Sequence, residues 1–449
     1  MDAGRHRNIT LLTYSEVEAV SGYIGNFTVQ VRKRARSVVE GLCTGCGLCQ
    51  EKCPRKVVDP VFEAGMGQRK AIYRPFSQAI PNIPVIDREN CLYFTRGRCR
   101  LCEKNCPTGA IDYEQQDSMI ELQVGVIVVA TGLGMWDPTK LPQYSYGLSP
   151  NIITGIQFER LSNAGGPTSG KILTAEGKKP ERVAIIHCVG SRDEHAHRYC
   201  SRICCMYSLK HAHQIRDKTG AEVYDFYMDI RAFGKAYDEY YARVQEEGVT
   251  FIRGRAAEVQ VLPDGKLRVR GEDNDLGRPV TADVDMVILA TAVEAQPDAS
   301  KVAALFGLGR TPDGFFAEAH PKLRPVETTT AGVLLAGTCQ GPRDVLDTVA
   351  HAGAAALEAV RIFNQGQVTI PPTVAQVNAL ECVGCGDCIS VCPYTAISLN
   401  AEGKAEVNPA LCQGCGTCAA ACLAGAISAL HFTDEEIVAQ IDGLLLEPA

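Results

Sequence analysis

CTGCGLCQEKCP, residues 43–54, sets four thiols in the pattern Cys43-x2-Cys46-x2-Cys49-x3-Cys53 and closes on Pro54. The pattern returns three times: Cys91-x7-Cys99-x2-Cys102-x3-Cys106-Pro107, Cys382-x2-Cys385-x2-Cys388-x3-Cys392-Pro393 and Cys412-x2-Cys415-x2-Cys418-x3-Cys422. Sixteen of the 21 cysteines are thereby placed in four quartets. Two-residue spacers let three thiolates curl round one iron-sulfur cubane, while the fourth, after three residues, reaches a neighbouring cluster. The fourth thiol is also expected to start a short helix. Zinc is the competing reading, but zinc sites usually join two separated cysteine pairs.

Taken in pairs, the quartets read as two-cluster ferredoxin modules with crossed ligation. Cys43, Cys46, Cys49 and Cys106 are expected to hold one 4Fe-4S cluster, and Cys91, Cys99, Cys102 and Cys53 the second. In the later module the sets are Cys382, Cys385, Cys388 and Cys422, and Cys412, Cys415, Cys418 and Cys392. Glycines such as Gly45, Gly47, Gly384 and Gly386 fall between ligands, where backbone approaches the cluster and turns sharply. Two departures stand out: the x7 gap after Cys91, and Leu423 where proline is expected.

A chain of 449 residues accommodates several domains. Its net charge of -7, from 45 basic and 52 acidic side chains, gives no basic excess for nucleic acid. The first residues lack the pattern of a secretory signal, and no apolar run approaches the roughly 18 residues of a membrane span. A cytoplasmic protein without direct membrane insertion is expected, and a reducing compartment favours metal over disulfides.

A further stretch, HCVGSRDEHAHRYCSRICCMYSLKHA at 187–212, carries Cys188, Cys200, Cys204 and Cys205. Spacing alone leaves two readings open, a fifth cluster or buried structural thiols. The neighbouring histidines, among them His187, His211 and His213, read as supporting or surface groups rather than ligands. Cys339 is left over and reads as a buried structural thiol.

Between the cysteine modules the chain turns to β-branched runs. LQVGVIVVATGLG, residues 122–134, is expected to be a continuous strand ending in a turn at Thr131 and Gly132, and VDMVILATAVEAQP, residues 284–297, repeats that design. A third strand ends at Gly337 and Thr338 before an Ala-rich helix whose N-terminus can face a flavin. Thr131, Gly132, Gly337 and Thr338 are therefore the candidate FAD contacts. RVAIIHCVGSR, residues 182–192, stands where a pyridine-nucleotide domain would begin, yet only Gly190 remains of the G-x-G-x-x-G loop. That counts against an NAD(P)H-dependent reductase.

The ordering resembles the A-type subunit of heterodisulfide reductase and its relatives, including A-type subunits of quinone-interacting oxidoreductases and benzoyl-CoA reductase complexes. The resemblance is carried by HRNITLLTYSEVEAVSGYIGNFTV at 6–29, the paired cysteine motifs, the stretch at 187–212, HPKLRPVETTTAGVLLAGTCQGPRD at 320–344 and the terminal motifs. It implies an α/β fold: a thioredoxin-reductase-like, two-dinucleotide-domain flavoprotein core with an inserted and a C-terminal α+β two-cluster ferredoxin domain. It also implies a preceding segment with the FAD G-x-G-x-x-G loop, which these residues lack.

The expected domains are a partial FAD unit at 1–37, an inserted ferredoxin domain at 38–112, an FAD-domain return and linker at 113–180, a degenerate pyridine-nucleotide-type domain at 181–295, a closing strand and helix at 296–364, and a ferredoxin domain at 365–449. Residues 362–380 read as a linker with two prolines. The resemblance implies cluster ligation by Cys188, Cys200, Cys204 and Cys205, FAD as cofactor, and a methanogenesis oxidoreductase component that bifurcates electrons. Expected partners are B- and C-type heterodisulfide reductase subunits, the delta-type component of a hydrogenase or formate dehydrogenase, and ferredoxin, with a homodimer among the expected assemblies. The alternative is a flavin-free iron-sulfur relay.

Overall fold

The protein is described from a computed structural model covering residues 2–367 and 372–445. It opens with an antiparallel sheet. Strands β1 (Ser15–Tyr23) and β2 (Asn26–Lys33) form a hairpin, and β3 (Ser118–Val124) pairs with β2 from Phe27↔Val124 to Lys33↔Ser118. Phe27, Val29 and Val31 are buried at every second position, as a strand with one covered face requires. Residues 34–117 leave and return between two neighbouring strands. The exit and return are tied together: the Ala35 N–H donates to Asp117 Oδ1 at 2.8 Å, the Val39 N–H to the Ala110 carbonyl at 2.7 Å, and Val38 bridges Ile111.

The apolar run at 122–134 is not one strand. It breaks at Gly125 and Val126, after which β4 (Ile127–Val129) belongs to another sheet. The Gly125 carbonyl accepts the Gly25 N–H at 2.8 Å, a long-range contact that turns the backbone out of the antiparallel ladder.

The centre of the molecule is a five-stranded parallel sheet. Strands β5 (Ile152–Thr154), β6 (Arg182–Val189), β7 (Glu222–Tyr227), β8 (Thr250–Arg253) and, after the antiparallel meander β9 (Ala256–Val261), β10 (Leu267–Asp273) and β11 (Arg278–Val284), β12 (Met286–Thr291) supply it. Their order is β5-β12-β6-β7-β8. Alternation sorts the two faces. Val183, Ile185, Val223, Met286 and Ile288 pack with Leu209, Ala212 and Ile215, whereas Ala184, Ile186, Val287 and Leu289 pack with the meander residues Val259, Leu267 and Val269. Both faces are thus covered, which is why β6 and β12 read as unbroken apolar runs. Full burial of each such side chain contributes about 1.5–3 kcal/mol. Residues 286–291 of the run at 284–297 thus lie in this sheet as β12, while Val293 and Glu294 pair antiparallel with Met135 and Gly134.

Two helices cover the first face. Helix α1 (Gly155–Ser162) starts with a capping box between Thr154 and Gln157, and α2 (Cys204–Thr219) stops at Gly220 in the left-handed region. Strand β13 (Val333–Leu335) then runs parallel to β4, and after a short turn at Gly337–Cys339 helix α3 (Val345–Gln365) begins at Asp344, whose carboxylate caps the Asp347 N–H. Of α3, His351 and Ala355 are buried, while Val345, Leu346, Val349, Leu357, Val360 and Phe363 are exposed.

Around the last two quartets, strands 375–377 with 427–429 and 397–399 with 405–407 form two small antiparallel ladders on a core that includes Cys382, Cys388, Cys412 and Cys418. Helix α3 takes up the start of the expected linker, and residues 368–371 within it lie outside the described residues. No helix among those described is long and apolar enough to cross a membrane.

Candidate functional site

The sixteen patterned thiols ring four cavities, and each ring draws on two motifs. One cavity is lined by Cys43, Cys46, Cys49 and Cys106, and a second by Cys91, Cys99, Cys102 and Cys53. A third takes Cys382, Cys385, Cys388 and Cys422, and a fourth Cys412, Cys415, Cys418 and Cys392. Among the described residues no three His, Cys, Asp or Glu side chains are gathered to hold a single metal ion. A donor set of four thiols drawn round one cavity suits an iron-sulfur cluster.

Local structure explains the spacing. The third thiol of each quartet sits in a helix of four or five residues, as Cys49 does in Leu48–Lys52 and Cys418 in Thr417–Ala421. The fourth thiol does not start that helix. Cys53 ends it in extended conformation because Pro54 disfavours a helical residue before it, and Cys422 is extended in the same way although Leu423 follows. The long gap after Cys91 is filled by a helix, Leu92–Arg96, with Cys91 at its N-terminus.

Backbone amides point at the sulfurs. The Ala110 N–H donates to Cys106 Sγ at 3.2 Å, Ala396 to Cys392 at 3.3 Å, and Ala375 and Ala405 to Cys412 and Cys382 at 3.4 Å. Against the upward push of partial burial, the Ala110 amide holds the Cys106 thiol below its usual range, and the Ala405 amide does the same for Cys382. Burial drives the Cys49 thiol up to about 11 and raises Cys102, whose sulfur lies 3.1 Å from the Tyr113 hydroxyl. Such amide and hydroxyl donors stabilise anionic sulfur and tune a bound cluster. None of them is visible in a cysteine pattern.

Three of the four middle thiols meet at the carboxyl end of β6. Cys188, in the left-handed region at φ 56°, faces Cys204 and Cys205, which open α2, and all three are buried. The neighbouring Cys204 thiol holds Cys188 and Cys205 below their usual range, while Cys204 itself, set against those two sulfurs and buried, is held above it. Cys200 lies in the preceding loop, half-buried, its sulfur accepting the Arg202 N–H at 3.2 Å. Around this point stand buried polar atoms without a hydrogen-bond partner: both nitrogens of His187, the Tyr207 hydroxyl and both Asp225 oxygens. His187 Nε2 and Asp225 Oδ1 are 2.8 Å apart, close enough for an ion pair but off the line of a sound hydrogen bond. A pocket of thiols and orphaned polar groups fits an additional polar, sulfur-bound group. His187 could have been noticed as the neighbour of Cys188, and Asp225 as a carboxylate in the apolar strand EVYDFY.

At Gly190 the expected phosphate loop is replaced by packing. A Cβ there would lie 2.4 Å from the Trp136 ring, and φ is +82°. The indole occupies the space over the end of β6.

Thr131, Gly132, Gly337 and Thr338 follow the parallel strands β4 and β13, whose register pairs Val129 with Leu335, so all four emerge at one sheet edge. The Gly337 N–H donates to Nδ1 of buried His351 at 2.9 Å, anchoring this turn to α3. Burial keeps His351 below its ordinary range, in the neutral form that accepts this bond. Cys339 hydrogen-bonds the Val129 and Ala336 carbonyls at 3.2 and 3.3 Å, a satisfied thiol between the strands. A Cβ at Gly132 would have no neighbour nearer than Gln296 at 3.9 Å. This open backbone fits the approach of a flavin's ring and ribityl end.

A model of the 4Fe-4S dicluster domain matches residues 42–110 and 381–426. Over 453 residues the chain is 50% identical to the A-type subunit of the H(2):CoB-CoM heterodisulfide,ferredoxin reductase of Methanothermobacter marburgensis, covering 100% of this chain and 68% of that protein. The A-type iron-sulfur subunit of the CoB-CoM heterodisulfide reductase of Methanocaldococcus jannaschii is 47% identical, with 99% and 68% covered. Among solved structures, T. acidophilum thioredoxin reductase aligns with a TM-score of 0.37 at 12% identity, over 56% of this chain and 70% of that one.

Proposed function

The chain belongs to the family of A-type heterodisulfide reductase subunits, which are iron-sulfur flavoprotein oxidoreductases, and on that premise we propose that it distributes electrons by flavin-based bifurcation among a donor module, ferredoxin and a heterodisulfide-reductase-type partner. The observation that carries the reading is the set of four thiol rings, each built from two motifs. Several thiolate sites in one chain suit the relay of single electrons between centres, whereas a structural metal needs only one site.

Cys43, Cys46, Cys49 and Cys106, with the three corresponding sets, would hold 4Fe-4S clusters, and Cys188, Cys200, Cys204 and Cys205 a fifth. Thr131, Gly132, Gly337 and Thr338 would meet FAD. When bound, FAD supplies the exchange between two-electron and one-electron chemistry, and the clusters carry single electrons. The chain itself holds anionic sulfur with amide N–H groups, and His351 keeps the Gly337 turn in place through α3. The inserted module is rooted in adjacent strands β2 and β3, which favours a fixed distance to the core.

Named relatives point to the partners. The M. marburgensis protein is named for H2, heterodisulfide and ferredoxin, and that of Methanococcus maripaludis for H2 or formate. B- and C-type heterodisulfide reductase subunits, the delta-type component of a hydrogenase or formate dehydrogenase, and ferredoxin are the partners proposed here. A second reading, a flavin-free relay, is favoured by the two-stranded state of the β4–β13 sheet, where Val128 is exposed.

The test is electron accounting in the assembled complex. With H2 or formate as donor, bifurcation requires ferredoxin reduction to depend on the heterodisulfide, with electrons divided equally between the two. Ferredoxin reduction at an unchanged rate without heterodisulfide would exclude bifurcation.

A further inference from the structure

The two ferredoxin modules differ most in what joins their motifs. Residues 54–90 separate Cys53 from Cys91, whereas only residues 393–411 separate Cys392 from Cys412. Within the longer connection Ile72–Tyr73 pairs antiparallel with Val85–Ile86, and the loop between them, 74–84, lies over the first thiol ring. The contact is close. A Cβ at Gly45, between Cys43 and Cys46, would fall 2.6 Å from Asn82 Nδ2, and that amide donates to the Gly45 carbonyl at 3.4 Å.

Arg74 opens the loop and lines the cavity of Cys43, Cys46, Cys49 and Cys106. Its guanidinium is held from two sides: Nε donates to Oε1 of Gln50, the neighbour of Cys49, at 2.8 Å, and Nη1 donates to Asn82 Oδ1. Both acceptors are neutral, so they fix the group without cancelling its charge. Nη2 makes no hydrogen bond among the described residues, and it lies 3.8 Å from the position a Cβ would take at Gly47, between Cys46 and Cys49.

The other rings are lined differently. Lys70 and Lys404 donate to the Cys53 and Cys382 carbonyls and line neither cavity. Arg55 is exposed and meets the second ring through its carbonyl, 3.7 Å from Cys53 Sγ. The third ring has Asp387 where the first has Leu48, and no charged residue lines the fourth.

We propose that Arg74 raises the reduction potential of the centre held by Cys43, Cys46, Cys49 and Cys106, by fixing an uncancelled positive charge against its ligand loop, and that the long connection of the inserted module delivers that charge. The inference rests on the reading of these thiols as cluster ligands. A reduced cluster is more negative than an oxidised one, so a cation beside it stabilises the reduced form. Arg74 is half-buried, and its charge is screened less than one on a fully exposed side chain.

The experiment compares the full chain, reconstituted anaerobically with iron and sulfide, with R74K, R74Q and N82D. Iron per chain and EPR-monitored redox titrations are the readouts, and the centre in question is the one that C43A/C106A removes. R74Q is expected to keep the parent's iron content and to lower the midpoint of that centre more than any other. Its reduced-to-oxidised ratio at fixed potential falls about tenfold, equivalent to 59 mV for a one-electron couple. R74K, which keeps the charge, stays closer to the parent than to R74Q. N82D keeps the acceptor for Nη1 but sets a carboxylate against the guanidinium, and it lowers the same midpoint.

Unchanged midpoints in R74Q at full iron content overturn the proposal. So does an equal shift in R74K and R74Q, which would follow the lost hydrogen bonds rather than the charge. If R74Q loses iron, N82D decides: a lower midpoint in that centre supports the proposal, and parental midpoints, or loss of iron in N82D as well, overturn it. A parent chain that takes up neither iron nor sulfide overturns the cluster reading itself and the proposal with it.

Discussion

Replacing Gly190 by alanine tests the packing that positions Cys188. Gly190 follows β6 at φ +82°, where an L-residue costs about 1–2 kcal/mol. Its new Cβ would also meet three atoms of the Trp136 ring at 2.4–2.7 Å. Trp136 is buried, so the ring has to move within the core, and overpacking of that kind costs about 1–3 kcal/mol. The sum is a loss of about 2–5 kcal/mol from the middle domain. Gly220 supplies the control: it has φ +69° at the end of α2, with nothing within 4 Å of its built Cβ, so Gly220→Ala keeps only the backbone cost. Trp136 is the single tryptophan of the chain, and its emission therefore reports on this core directly. Urea unfolding followed by that emission should give a midpoint well below the parent's for Gly190→Ala and a smaller decrease for Gly220→Ala. Equal midpoints for the two variants would refute the claim that the indole occupies the space over Gly190.

Crossed thiol rings make a prediction for double variants. C43A/C106A should lose no more iron than either single change, because both thiols line one cavity, whereas C43A/C53A should lose about twice as much, since they line two. Glu159 gives a pH dependence. Against the upward push of burial, hydrogen bonds from His211 and Lys210 hold its carboxyl down to about 2. A carboxyl depressed in the folded state stabilises the protein fully above the ordinary carboxylate range, and the contribution disappears as pH falls towards 2. After allowance for its partial exposure this amounts to about 1–2 kcal/mol. Denaturant midpoints of Glu159→Gln and parent should therefore differ most near neutral pH and converge in acid. Leu209→Ala, at a fully buried position of α2, should cost about 2–5 kcal/mol, measured by the same Trp136 emission.

The cysteine quartets are legible because three ligands of each ring lie close together in sequence, so their geometry is local. Crossing between motifs follows from the three-residue spacer. The helix ending at Cys53 is harder to read: the proline that marks the motif also forces the residue before it out of the helix. The run at 122–134 shows the limit of apolar patterning. Its break depends on a hydrogen bond to Gly25, almost a hundred residues away, and nothing within the run announces it. The His187–Asp225 pair is likewise a product of register between β6 and β7, invisible until the two strands are laid side by side. By contrast, β6 carries its own signal, an apolar run buried on both faces, and lies where that signal puts it.

Anaerobic quantification of iron, sulfide and released FAD on the purified chain tests the central claim most directly. About 20 irons per chain, matched by sulfide, is the predicted result for five clusters. A chain that retains zinc in place of iron and sulfide would contradict it.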